Sequence, residues 1–121
     1  ATTEMLAASL LDQAWHSTPI DDLPAEPDEV AAFEAAALAA AGVDYPLAPT
    51  RYRSTYFKHI FEGGYSAAYY SYLWSDTITA DAWEAFTEAG GPWDKEVAKR
   101  LRDMMNRLID EHETKYGKLD G

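Results

Sequence analysis

From Val97 to His112, apolar residues return every three or four positions: Val97, Leu101, Met104, Met105, Leu108, Ile109 and then His112. That is the period of an α-helix with one apolar stripe, and no stretch of useful length alternates as a strand does. The same period recurs upstream. Met5, Leu6, Leu10, Leu11, Ala14 and Trp15 predict a helix over 3–16, with Thr2 or Thr3 as N-cap and Thr18-Pro19 as its end. An acidic, proline-containing linker follows. A second helix is expected from Asp28, with Glu29 in its first turn, through an alanine-rich run to Gly42. Pro46 and Pro49 then mark a linker. Arg51–Phe61 reads as a short helix broken by Gly63-Gly64, and 65–77 and 80–89 as two helices or one continuous one. Gly90-Gly91-Pro92 is a stop, and Asp94 caps the last helix, which has Lys115 and Lys118 near its end and carries on to Lys118-Leu119-Asp120-Gly121. The fold class expected is all-α, with about five to six helices in a single helical subdomain over 1–121.

Composition narrows what such a chain binds. Four Trp, eight Tyr and four Phe in 121 residues are too much aromatic bulk for a disordered chain. A net charge of −11 repels phosphate backbones, so nucleic acid is not an expected partner. No cysteine is present, which removes disulfides and thiolate metal sites and leaves cytoplasm and periplasm equally compatible. No apolar run approaches the roughly 20 residues of a membrane span, no signal peptide is visible, and the start without Met reads as a cut or processed end.

Three histidines, His16, His59 and His112, are scattered along the chain, and none stands four residues from another. The His-Glu-x-x-His zinc arrangement is therefore absent: His112-Glu113 is followed by Thr114, Lys115 and Tyr116. No Gly-x-Ser-x-Gly motif supports a serine nucleophile, and Gly63-Gly64 has no Lys-Ser or Lys-Thr after it to make a phosphate loop.

The segment 51–74 carries the most chemistry. On a wheel of about 100° per residue, Tyr65, Tyr69 and Tyr72 fall within about 60° of one another, with Tyr70, Leu73, Trp74 and Thr77 opposite. The second set has the composition of a core face. The first is three phenols in a row, and a buried phenol needs a hydrogen-bond partner. They suit either an aromatic packing face or a polar cleft that grips a peptide. His59, between Phe57 and Phe61, is either a structural residue or a donor to a ligand. The glycine pair is either a plain turn or a loop that approaches one.

At these positions the sequence resembles zinc metallopeptidases of the peptidyl-dipeptidase, thimet oligopeptidase and oligopeptidase A family. The resemblance is carried by Arg51-Tyr52-Arg53-Ser54, Tyr56-Phe57, His59-Ile60-Phe61, Gly63-Gly64-Tyr65 and Tyr69-Tyr70 with Tyr72-Leu73-Trp74. Leu6 through His16, Phe33-Glu34, Ala37-Leu38, Asp81 and Gly90-Gly91 extend it over residues 2–103, with a divergent terminal helix over 104–121. It implies a piece of a helical catalytic domain. By that resemblance Tyr65 and Tyr72 reach the scissile or a neighbouring carbonyl, where a phenol O–H stabilises a developing oxyanion. His59, Gly63, Gly64 and Tyr69 bind substrate. Zinc belongs to the parent enzyme, which polarises the carbonyl with it, and no cofactor is expected in this chain. Glu62 and Ala68 depart mildly from the family pattern. The expected partners are short peptides, and either the missing zinc-bearing part of the enzyme or a second copy. A cytoplasmic setting without membrane contact is expected, together with no peptide hydrolysis by this chain alone. The alternative is a non-catalytic helical binding or oligomerisation module built on the same scaffold.

Overall fold

The computed structural model describes residues 2–118, so the final Leu119-Asp120-Gly121 of the expected C-terminal extension lie outside the described residues. The chain is helical, with no strand among the described residues. Its α-helices are α1 (Thr2–Ser17), α2 (Val30–Ala40), α3 (Lys58–Phe61), α4 (Ser71–Glu88) and α5 (Lys95–Tyr116). Short 3-10 turns stand at Ile20–Asp22 and Ser54–Tyr56. By internal contacts the chain divides into two compact units, one ending at Ser75 and the other beginning at Asp76, within α4.

In the first unit α1 packs on α2. Ala7, Ala8 and Leu11 of α1 are buried with Leu38, Val43, Phe57, Ile60 and Tyr69. Trp15 reaches Phe33 of α2 at a ring separation of 4.4 Å. Helix α2 begins at Val30 rather than Asp28, because Glu29 folds back on the preceding turn. Its carboxylate accepts the backbone N–H groups of Ala25 (3.0 Å) and Glu26 (3.3 Å) instead of capping the helix. The stop at Gly42 is as expected. With φ of +68°, Gly42 lets its own N–H reach Ala39 O and the Val43 N–H reach Leu38 O, both at 3.0 Å. These are the paired bonds of a Schellman motif, and Leu38 and Val43 bury the accompanying apolar contact.

The segment 51–77 departs most from its periodicity. Arg51–Phe61 splits into the 3-10 turn and α3, and residues 66–70 are turns, so α4 starts only at Ser71 and then runs unbroken to Glu88. The face expected to be core is solvent-exposed, with Tyr70 at 46% and Trp74 at 62%, whereas Tyr69 from the phenol set is buried.

The second unit holds the rest of α4 and α5. Gly90 (φ +92°) closes α4, and the Asp94 carboxylate accepts from Glu96 N (3.0 Å) and Val97 N (2.8 Å), so the cap falls where the sequence places it. None of its described residues is buried.

Candidate functional site

The expected site residues converge in the first unit, but by a route other than a continuous helix. Helix α3 presents His59. Gly63 then passes so close behind it that a Cβ there would stand 2.9 Å from both Cα and O of His59. Gly64 turns the chain at φ +76°, a conformation that side-chain-bearing residues rarely adopt. This pair sends Tyr65 back alongside α3, where its N–H donates to His59 O (3.1 Å).

The next turn is held from across the fold. Asp12 of α1 is fully buried, and its carboxylate accepts the N–H groups of Ala67 (2.9 Å) and Tyr69 (2.8 Å). Gln13 donates to Ala67 O at 2.8 Å, so Ala67 is bonded at both its backbone groups. It is the residue with φ of +54°, a left-handed conformation that is unfavourable for alanine. His16 Nδ1 lies 2.8 Å from the Asp12 carboxylate. Sequence reading passed over Asp12. The available signal was a carboxylate set among Ala8, Leu11 and Trp15 on the apolar side of α1, where an acid is found only with partners.

A second buried carboxylate fixes the approach to the site. Glu34 accepts Ser54 N (2.7 Å) and Ser54 Oγ (2.9 Å) and pairs with Arg53, while Trp15 Nε1 donates to Ser54 Oγ at 2.9 Å. Both acids sit in stretches that carry the family resemblance.

These two anchors assemble an aromatic cluster. Tyr52 stacks on Phe57 with ring centroids 5.1 Å apart, and His59 leans on Tyr52 at 4.8 Å and on Tyr69 at 5.7 Å. Tyr65 and Tyr72 stack at 5.4 Å with planes 15° apart, and Tyr72 also meets Tyr69 at 4.9 Å. Tyr69 is only 2% exposed and forms the floor, whereas His59, Tyr65 and Tyr72 are half-buried and reach solvent. A hydrogen bond with Tyr65, followed by burial and the neighbouring phenols, pushes the Tyr72 hydroxyl up to about 12. Burial, then Tyr52, raises the Tyr69 hydroxyl, partly opposed by Arg51. The His59 Nδ1 atom is buried without a hydrogen-bond partner. Phenols that stay protonated and an imidazole at the surface of the cluster form a set of hydrogen-bonding groups on an apolar floor, suited to a neutral polar ligand.

The family model for peptidase family M3 matches residues 1–106. The chain belongs to peptidase family M3. Among curated proteins, the dipeptidyl carboxypeptidase of Salmonella typhimurium is 48% identical over 101 residues, covering 84% of this chain and 14% of the relative. That of Escherichia coli is 45% identical over 89 residues, 74% of this chain and 13% of the relative. Mitochondrial intermediate peptidase of Aspergillus oryzae is 31% identical over 103 residues, 82% of this chain and 12% of the relative. The chain thus spans about a seventh of the length of the first two relatives. M3 peptidases are zinc metallopeptidases. Among the described residues no three His, Asp or Glu side chains come together to hold a metal ion, so the residues present do not fit that zinc site. No helix among the described residues is long and apolar enough to cross a membrane.

Proposed function

We propose that this M3 chain is the C-terminal, substrate-binding portion of a peptidyl-dipeptidase or oligopeptidase, and that alone it holds short peptides without cutting them. The observation that carries the reading is the Tyr65–Tyr72 phenol pair stacked beside His59, above the buried Tyr69. One phenol donates to the other, and the remaining O–H is free for a peptide carbonyl. The upward shift of Tyr72, caused first by its bond with Tyr65, marks Tyr72 as the donor within the pair and leaves the Tyr65 O–H for the carbonyl. A buried Nδ1–H lacking an acceptor is the costlier tautomer of His59, which puts the proton on Nε2, where it donates to a second backbone carbonyl. Gly64, where a Cβ would meet nothing within 4 Å, leaves room for an extended peptide to pass, and Gly63 seats this loop against His59. Catalysis requires the missing zinc-bearing part, with Tyr65 and Tyr72 at the carbonyl oxygen. We place the protein in the cytoplasm and expect neither nucleic acid nor membrane among its partners.

Hydrolysis of short peptides in the presence of zinc tests the reading, first by the chain alone and then mixed with a separately made zinc-bearing part. Activity is expected only in the mixture, and cleavage by the chain alone overturns the claim of inactivity. In the assembled enzyme Tyr72→Phe is expected to lower turnover on the order of 10²-fold, and an unchanged rate removes Tyr72 from that role.

A second reading, a non-catalytic helical module that assembles through an exposed face, is favoured by one observation: no described residue from Asp76 onward is buried. Full binding of peptide with no gain of activity in the mixture favours it.

A further inference from the structure

Helix α5 exposes an apolar stripe whose second half lies beyond the family match. Met104, Met105, Leu108 and Ile109 are 38–48% exposed and Tyr116 is 67% exposed. The match ends at residue 106, while the stripe continues through Leu108, Ile109, His112 and Tyr116. Val97, Leu101 and Met104 line a groove of about 730 Å³ with Ile78 and Phe86 of α4. Met105, Leu108 and Ile109 do not line it, and their surface is free.

Two features of α5 identify what fits this face. The first is an internal symmetry of order. Reversing the helix about the midpoint between Asn106 and Arg107 exchanges Leu101 with His112, Met104 with Ile109, Met105 with Leu108 and Val97 with Tyr116. Apart from the imidazole, every apolar residue of the stripe meets an apolar one. Leu101, Met105, Leu108 and His112 have the four-three-four spacing of a helix–helix seam. The second is charge. Over 99–107, Lys99, Arg100, Arg102 and Arg107 outweigh Asp103, whereas 110–113 holds Asp110, Glu111 and Glu113. Acidic residues toward the C-terminus and basic ones before them run against the helix's own dipole. The same reversal lays each basic segment along an acidic one. Asp103 and Asp110, which it would bring opposite each other, lie about 150° around the helix from Met105 and point away from the seam.

We propose that α5 pairs with α5 of a second copy of this chain, antiparallel, centred between Asn106 and Arg107. The contact is isologous, so it closes as a two-fold dimer rather than a filament. Parallel pairing is opposed because it sets basic on basic and acidic on acidic. The proposal is independent of the peptide-gripping reading, since it uses no residue of the aromatic cluster.

Sedimentation of the full chain across about 1–100 µM is expected to show a monomer–dimer equilibrium that weakens with salt. Leu108→Glu, checked for retained helix by circular dichroism, is expected to raise the dimer dissociation constant at least about tenfold. Register is read by cross-linking, because the chain has no cysteine. Antiparallel pairing puts Ala98 of one copy opposite Lys115 of the other and separates the two Ala98 positions by about 25 Å. A mixture of Ala98→Cys and Lys115→Cys chains is therefore expected to form a mixed disulfide, with neither variant cross-linking to itself. A monomer throughout the range overturns the proposal. So does Ala98→Cys joining to itself, or a chain that leaves this face free until the zinc-bearing part of the enzyme covers it.

Discussion

The two units of this chain solve the problem of order in opposite ways. In the first, two buried carboxylates, Asp12 and Glu34, reach residues 20 to 57 positions away and satisfy their backbone N–H groups. A loop with no regular structure of its own is thereby held in one conformation. In the second unit α5 is well capped and regular, yet no described residue is buried and its apolar side chains face solvent. Local signals are enough to make a helix, but specificity of tertiary structure comes from buried groups that must be satisfied. The aromatic cluster is a product of the first arrangement, and the exposed stripe of the second is the face that the proposed dimer would cover.

Core truncation separates the two units most sharply. Phe57→Ala, at a residue 1% exposed, is expected to cost about 3–5 kcal/mol of stability in urea denaturation. Leu108→Ala, at a residue 48% exposed, should change the stability of the monomer by no more than about 0.5 kcal/mol. Equal losses would erase the contrast. Asp12→Ala, which leaves two N–H groups of the loop without their acceptor, is expected to cost about 3 kcal/mol. It should also detach Tyr65 from Tyr72, seen as loss of the late-ionising phenol. If the loop survives intact, Asp12 is not its anchor.

A smaller effect of opposite sign is expected at Ala67. Since it sits at φ +54°, Ala67→Gly should stabilise the fold by about 1 kcal/mol, a gain absent at an ordinary helical alanine such as Ala98. The pH response is the subtlest. Tyr72 has its hydroxyl raised to about 12, above the ordinary value of 10.0, so between these pH values the unfolded chain has lost a proton that the folded one retains. The contribution of Tyr72 to stability is therefore level below about pH 10 and declines as pH rises toward 12. Tyrosinate absorbance should show late-titrating phenols, a component that Tyr72→Phe diminishes while Tyr69 still contributes; an undiminished component would assign the shift near 12 to another phenol.

Much of the fold is legible because it is local. The all-α class, the Schellman stop at Gly42, the break at Gly90 and the Asp94 cap each depend on residues within one or two turns. What misled was the stretch 65–70, where helical periodicity is present but the backbone is diverted by Asp12, more than fifty residues earlier. No wheel contains that information: the stripe of Tyr65, Tyr69 and Tyr72 reads as either a packing face or a cleft, and Tyr70 and Trp74 read as a core face although they are exposed. The phenols nonetheless meet, since Tyr65 and Tyr72 are brought together by a turn of similar reach to the helix expected there. The identity of the cluster came from residue types. Its geometry came from Asp12, Gly63 and Gly64.

The central claim is that this cluster grips a peptide, and the most direct measurement is a titration of the chain with a short neutral peptide, followed by the aromatic resonances of His59, Tyr65 and Tyr72. Shifts confined to these residues, weakened in both Tyr65→Phe and Tyr72→Phe, with the peptide recovered uncut, are the predicted result. Shifts confined to α5, or none in the cluster at saturating peptide, would contradict it.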